Sequence, residues 1–233
     1  MEPRAEPIGS PRVVVVTGAT GKLGPTVAAG FAALGDRLVL LARDAEEARA
    51  LASSLPGGEA VHLGLSADLA TAAGAEAAAT TIRDRIGGPA VLLHLVGGYA
   101  GGTSIEDADP DLWRDLFDLN FWTTFHTLRA FLPDIRAAAS GRIVTVSTPL
   151  AGAPVANIGP YAASKGAVET LTLTLAKELV ATPATANVVL IRTIGDEKPS
   201  HTRPDEIAAA MVWLCSPAAA AVNGQRVPLV GRG

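Results

Sequence analysis

Val13-Val14-Val15-Val16-Thr17-Gly18-Ala19-Thr20-Gly21-Lys22-Leu23-Gly24 joins a short apolar run to a glycine-rich turn, and a helix-forming segment, Leu23–Leu34, follows at once. Glycine at a strand–helix junction lets the chain turn tightly and brings backbone N–H groups close to an anion, to which the helix dipole adds. Such a turn alone can serve conformation only. With a strand before it and a helix after, it is the context that cradles a dinucleotide pyrophosphate. Gly18, Thr20, Gly21, Lys22, Leu23 and Gly24 are therefore candidate phosphate contacts.

The same alternation runs outward along the chain. Arg12–Thr17, Arg37–Ala42, Ala60–Leu65, Ala90–Val96, Arg142–Ser147, Asn187–Arg192 and Arg226–Val230 are short and rich in Val, Leu and Ile. Between them lie the longer segments Leu23–Leu34, Ala45–Leu55, Ala70–Ile86, Asp111–Ala138, Pro160–Val180 and Pro204–Leu214. Strands apolar along their whole length, alternating with helices, predict an α/β fold: a doubly wound parallel sheet of the Rossmann type, about seven strands flanked by helices. Asp109-Pro110 marks one helix start, and Gly35 and Gly87-Gly88 mark helix ends. No linker or internal repeat divides the chain, which reads as one domain over 12–233 behind a flexible tail, 1–11, that holds three prolines.

Of the 233 residues 48% are apolar, enough for a large core and too many for wholesale disorder. Nineteen basic against 23 acidic residues leave a formal charge of −4, which gives no general attraction to nucleic acid or an anionic membrane. A bound phosphate must then be held by a local pocket. The one cysteine, Cys215, excludes an intrachain disulfide and suits a reducing compartment. With no secretory signal in Met1–Pro7 and no apolar stretch of about 18 residues, the expectation is a cytoplasmic protein without a membrane segment. The four histidines lack metal-ligand spacing, so no metal is expected.

Arg43 ends the second strand, where a doubly wound fold brings the adenine ribose. An acidic residue there would bond both ribose hydroxyls, whereas Arg favours a 2′-phosphate, with Lys22 near enough to help. NADP is expected over NAD. Tyr161 and Lys165 open a later helix at i,i+4 spacing, on one helix face. A neighbouring cation would draw a phenol pKa down toward the range useful for proton transfer.

Taken together, the glycine turn, Asp68 after the third strand, Asn120 in mid-helix, a hydroxyl after the fifth strand and the Tyr161/Lys165 pair resemble the short-chain dehydrogenase/reductase family, over about residues 12–230. The resemblance implies an NAD(P)-dependent oxidoreductase acting on a small-molecule carbonyl or alcohol. Tyr161 is then the proton donor or acceptor for the substrate oxygen, and Lys165 adjusts the phenol and bonds the nicotinamide ribose. Asn120 supports a proton relay by distorting its helix, and Asp68 bonds the adenine amino group. The substrate-orienting serine of the family falls thirteen residues before the tyrosine, which lands on Thr148, with Ser147 beside it as the alternative. Leu69, Val96, Gly97, Gly98, Thr193 and Ile194 complete the implied cofactor contacts.

Three stretches depart from the family pattern. Lys22 stands at a glycine position of the turn, with the glycine displaced to Gly21. His94-Leu95-Val96-Gly97 replaces Asn-Asn-Ala-Gly, with His94 expected to brace strand backbone through a ring nitrogen. Ile191-Arg192 replaces Pro-Gly, and with a helix due at Pro204 the segment covering the substrate must be very short. A carbonyl reductase or alcohol dehydrogenase is the leading expectation. Val96-Gly97-Gly98-Tyr99-Ala100-Gly101-Gly102 is similar to a glycine run of the dihydropteridine reductase family, which implies reduction of a planar heterocycle as an alternative. A dinucleotide-binding sensor or assembly subunit without turnover is the alternative of another class. Family members pair through their two long helices, which implies a homodimer or homotetramer, with Phe121, Trp122, Phe125 and Phe131 anchoring either that interface or the sheet.

Overall fold

The computed structural model describes residues 11–231, so most of the tail expected over 1–11 lies outside the described residues. Seven strands form one sheet: β1 (Val13–Thr17), β2 (Arg37–Ala42), β3 (Leu63–Ser66), β4 (Val91–His94), β5 (Arg142–Ser147), β6 (Thr185–Ile191) and β7 (Arg226–Leu229). All pairs are parallel and the order is β3-β2-β1-β4-β5-β6-β7. The order reverses between β1 and β4, and at that switch point a crevice opens at the carboxyl ends of the strands.

Helices cover both faces. One face of β1, Val14 and Val16, packs with α1 (Gly24–Ala32) and α7 (Pro204–Leu214) in an aliphatic core around Phe31, Ile207 and Met211. The other, Val13 and Val15, packs against α3 (Ala72–Ile86) and α5 (Thr123–Ala137) around Ile82, Phe131 and Ile135, with α6 (Gly159–Glu178) on the same side through Leu175 and Ala176. Phe131 is thus a core residue facing the sheet, not an exposed anchor. Trp122, 43% exposed, forms an aromatic group with Phe121 and Phe125. α2 (Ala45–Ser54) is capped by Asp44, which accepts from the N–H groups of Glu46 and Glu47.

Two expected elements change shape. The third strand begins at Leu63 rather than Ala60, because Gly58–Ala60 is a tight turn and His62 intervenes. The His62 ring accepts the Leu38 N–H at 3.2 Å and donates from its other nitrogen to the Pro56 carbonyl at 2.9 Å. The single helix expected over Asp111–Ala138 is broken into α4 (Pro110–Phe117), a wide π-type turn at Asp118–Trp122, and α5. Asn120 sits in the middle of that turn. Such π turns re-aim side chains and cluster at functional sites.

Candidate active site

The phosphate side of the crevice is made of backbone. Gly18 has φ +63°, and a Cβ there would also lie 3.2 Å from the Val96 nitrogen. A Cβ on Gly24 would lie 2.0 Å from the Ala19 carbonyl oxygen, so only glycine allows the first turn of α1 to close on the loop. Within the turn Gly21 N–H donates to the Gly18 carbonyl at 3.0 Å and Gly24 N–H to the Gly21 carbonyl at 3.1 Å. No side chain caps α1, so its amino end is left for an outside anion, and Gly21 and Lys22 are exposed beside it. The cradle suits a pyrophosphate. Leu23 is a core residue and can offer only its backbone, and Thr20 is partly exposed.

Arg43 and Asp68 stand exposed at the ends of β2 and β3, on the same edge of the sheet. The Ser66 hydroxyl, donating to the Arg43 carbonyl at 2.7 Å, joins the two loops. The Asp68 carboxylate accepts from the Ala70 N–H at 3.1 Å and the Thr71 hydroxyl at 3.3 Å, so it shapes its own turn. Leu69 is buried in the core, which leaves its backbone as the part able to contact a ligand. Thr193 is exposed and Ile194 partly buried at the start of a short loop that folds back on itself: Gly195 N–H donates to the Thr202 carbonyl at 3.0 Å and Thr202 N–H to the Thr193 carbonyl at 2.9 Å.

Across the switch point the material is side chain. Asn120 is fully buried; its Oδ1 accepts the Gly98 N–H at 2.9 Å, and its Nδ2 donates to the Gly98 carbonyl at 3.1 Å and to the Ser164 Oγ at 3.0 Å. Gly97 lies in this nest, where a Cβ would come 2.6 Å from Lys165 Nζ and 2.9 Å from Asn120 Oδ1. Val96, Gly97 and Gly98 are thereby placed between the glycine turn and the Asn120/Lys165 pair.

Thr148 follows β5 and is fully buried. Its hydroxyl accepts the Leu150 N–H at 3.4 Å and lies near enough to the half-buried Tyr161 phenol, at the start of α6, to favour its ionised form. Ser147 points elsewhere: its hydroxyl donates to Glu169 Oε1 at 2.7 Å and lies 3.3 Å from the Lys165 carbonyl. The structure therefore brings Thr148, rather than Ser147, to the phenol.

Electrostatics differ from the expected pattern. Burial is the main cause that holds the Tyr161 phenol above its ordinary value of 10.0, with Tyr99 adding to the rise and Thr148 opposing it. The Lys165 Nζ donates to the Val146 carbonyl at 3.1 Å. Burial also pushes the Lys165 ammonium down to about 8. His94 is held neutral, its pKa pushed down to about 3 by burial first and then by Lys165. Its Nδ1 lies 3.0 Å from the Thr17 Oγ1, which in turn accepts the Leu95 N–H at 3.2 Å, so the bracing of strand backbone is indirect.

Sequence reasoning did not place three other contacts. The Tyr99 ring meets Tyr161 edge-on, centroids 4.9 Å apart. Ser164, inside the Tyr161–Lys165 span, holds Asn120. Glu169 binds Ser147; its position one turn past Lys165, on the same helix face, was the available signal. A cavity of about 470 Å³ between Ile105, Trp113, Val155 and Ala163 adjoins the first turns of α6, but neither Tyr161 nor Thr148 lines it.

The family model for short chain dehydrogenases matches residues 12–195. A D-threitol dehydrogenase of Mycolicibacterium smegmatis is 29% identical, over 94% of this chain and 92% of that one. An NADPH-dependent pterin aldehyde reductase of Arabidopsis thaliana is 28% identical, over 94% of both. The crystal structure of L-sorbose reductase from Gluconobacter frateurii, complexed with NADPH and L-sorbose, superposes with a TM-score of 0.87 at 25% identity, over 95% of this chain and 96% of that one. With the fold, the order of the motifs and these likenesses in agreement, the chain belongs to the short-chain dehydrogenase family of oxidoreductases.

Proposed function

We propose that the protein is an NADP(H)-dependent carbonyl reductase, able to run in reverse as an alcohol dehydrogenase. The observation that carries this reading is the buried nest in which Asn120 holds Gly98 and Ser164 and Lys165 Nζ closes on Gly97, with Thr148 acting on the Tyr161 phenol at the start of the same helix. The glycine turn from Gly18 to Gly24 and the backbone of Val96–Gly98 would hold the cofactor, with Arg43 and Lys22 supplying cations for a 2′-phosphate and Thr193 and Ile194 bordering its far end. When bound, the nicotinamide supplies or accepts hydride.

The protein's own part is positional and acid–base. Thr148 and Tyr161 hold the carbonyl oxygen between two hydroxyls, which polarises the carbonyl and stabilises the developing alkoxide. A phenol kept above its ordinary pKa by burial stays protonated at neutral pH and is suited to donate to that oxygen. Lys165, one turn along, is held by the Val146 carbonyl beside Gly97, where its ammonium would bond the nicotinamide ribose. Asn120 and Ser164 fix the loop at Gly98, so the cofactor side and the phenol side keep their spacing. The aromatic group at Phe121, Trp122 and Phe125 supports assembly through the long helices into a homodimer or homotetramer.

Tyr161→Phe is expected to abolish reduction of every ketone the unaltered protein accepts, while NADPH still quenches intrinsic fluorescence with nearly unchanged affinity. Unchanged turnover in this variant would reject the mechanism. NADPH binding with no turnover across a broad carbonyl panel would reject the activity.

A further inference from the structure

Thr148 and Tyr161 sit on separate elements, the end of β5 and the first turn of α6, and the two hydroxyls can share a substrate oxygen only while those elements keep their alignment. A misplacement of 1 Å at such a pair can cost about 100-fold in rate. One buried carboxylate spans the gap. Glu169 is 4% exposed and lies on α6, one turn past Lys165. Its Oε1 accepts the Ser147 hydroxyl at 2.7 Å, and Ser147 immediately precedes Thr148. Its Oε2 accepts the Arg226 Nε–H at 2.6 Å, from β7, which lies beyond β6 in the sheet. Ser147 Oγ also reaches the Lys165 carbonyl at 3.3 Å, so the same clasp touches the helix at two successive turns.

Stability does not account for this arrangement. The Glu169 carboxylate is buried while the Arg226 side chain is half exposed, so desolvation of the one and solvent screening of the other both offset the attraction. Its specific product is direction: two short hydrogen bonds fix the carboxylate plane, and through it the register of α6 against the strand end. We propose that Glu169 is a positioning residue for the reducing site, clasping α6 to the end of β5 through Ser147 while Arg226 holds its other carboxylate oxygen. The proposal rests on the reading of Thr148 and Tyr161 as the pair that holds the substrate oxygen.

The test uses the full chain, with Glu169→Gln, Glu169→Leu, Arg226→Gln and Arg226→Lys. Gln keeps the volume and can still accept from Ser147 but opposes a donor to Arg226; Leu removes both bonds. The chain has two tyrosines, so tyrosine labelled at Cζ gives two carbon signals by NMR, and Tyr99→Phe assigns that of Tyr161. Loss of alignment takes Thr148 away from the phenol, whose ionised form it favours, and the phenol titration moves upward in both Glu169 variants, as it does in Thr148→Val. It moves no further when Glu169→Leu and Thr148→Val are combined. Mere removal of a nearby negative charge would move it downward.

In parallel, kcat for ethyl acetoacetate with NADPH is expected to fall about tenfold or more in both Glu169 variants and less in Arg226→Gln, with Arg226→Lys restoring part of it. KM for NADPH stays within about twofold, since the clasp lies away from the phosphate turn, and the melting temperature of Glu169→Leu holds or rises. A phenol titration that stays put or moves downward in both Glu169 variants overturns the proposal, as does an unchanged kcat. Should the unaltered protein not reduce ethyl acetoacetate, the titration alone decides, and the assigned activity is judged separately by the carbonyl panel.

Discussion

Between β1 and α1 the binding surface is peptide backbone: Gly18 and Gly24 leave no room for a side chain, no residue caps the helix, and the nearby cations stand in solvent. From β4 to α6 the surface is a buried set of side chains, Asn120 held on Gly98 and Ser164, Ser147 on Glu169, and Thr148 beside the Tyr161 phenol. The first region tolerates change in what its residues carry and none in their volume. The second tolerates little change in either. A phosphate is recognised by N–H groups that every residue has, so the specification is steric; a proton must pass through particular atoms, so the specification there is chemical.

The strongest way to break this contrast is to fill the backbone cradle. Gly24→Ala puts a methyl carbon 2.0 Å from the Ala19 carbonyl oxygen, and the turn must open or α1 must shift. A loss of about 4 kcal/mol or more is expected, together with loss of NADPH binding. A melting temperature and an NADPH affinity that both survive the change would show that the turn is not sterically specified.

On the other side the largest effect is an increase in stability. Lys165 is buried and its ammonium is pushed down from 10.5 to about 8. Between pH 8 and 10.5 the unfolded chain holds a proton that the folded protein has shed, so the folded state gains stability as pH rises through that window. Below pH 8 the whole cost of burying the charge is present. Lys165→Met is therefore expected to be more stable at pH 7, on the order of 2–3 kcal/mol by urea unfolding, and inactive. That advantage should shrink as pH approaches 10.5. A variant that is less stable at pH 7, or an advantage that grows with pH, contradicts the assignment of a strained cation.

These two regions were not equally legible in the sequence. Glycine spacing, strand before and helix after identify the phosphate turn because its requirements are local. The order Asn120, Thr148, Tyr161 and Lys165 points to the second region, yet its wiring depends on which side chains meet across elements. Nothing in the local pattern of Asp111–Ala138 marks a π turn, since that turn belongs with Asn120 reaching a glycine in another loop. The expected fall in the Tyr161 phenol likewise assumed that two residues at i,i+4 spacing interact. Helix periodicity places them on one face, but the Val146 carbonyl takes the ammonium. The choice between Ser147 and Thr148 needed the direction of alternate side chains at the end of β5: Ser147 faces α6 and Glu169, and Thr148 faces the phenol.

That choice gives the next test within the side-chain region. Thr148→Ala removes the hydroxyl beside the phenol and is expected to cost about 2 kcal/mol in transition-state stabilisation, a kcat lower by roughly 30-fold or more. Ser147→Ala, which only loosens the Glu169 clasp, is expected to cost about half as much on the same scale. Thr148→Ser keeps the hydroxyl and is expected to retain most of the rate. Steady-state kinetics on one ketone rank the three. If Ser147→Ala is the more damaging change, the orientation of the substrate has been assigned to the wrong hydroxyl.

The smallest effect belongs to the most exposed part of the backbone region. Arg43 follows β2 and is exposed to solvent, unlike the buried Lys165. Charge-assisted bonds to a phosphate at such a site are worth about 1 kcal/mol, so Arg43→Ala is expected to weaken NADPH roughly five- to tenfold and to leave NADH nearly unchanged. Because the contact is screened, raising the salt from 0.05 to 0.5 M should narrow the NADPH preference of the unaltered protein and leave that of the variant flat. Equal loss for both coenzymes would mean that Arg43 shapes the loop rather than reads the 2′-phosphate; the cation that discriminates would then have to be Lys22, whose removal should show the salt-dependent pattern instead.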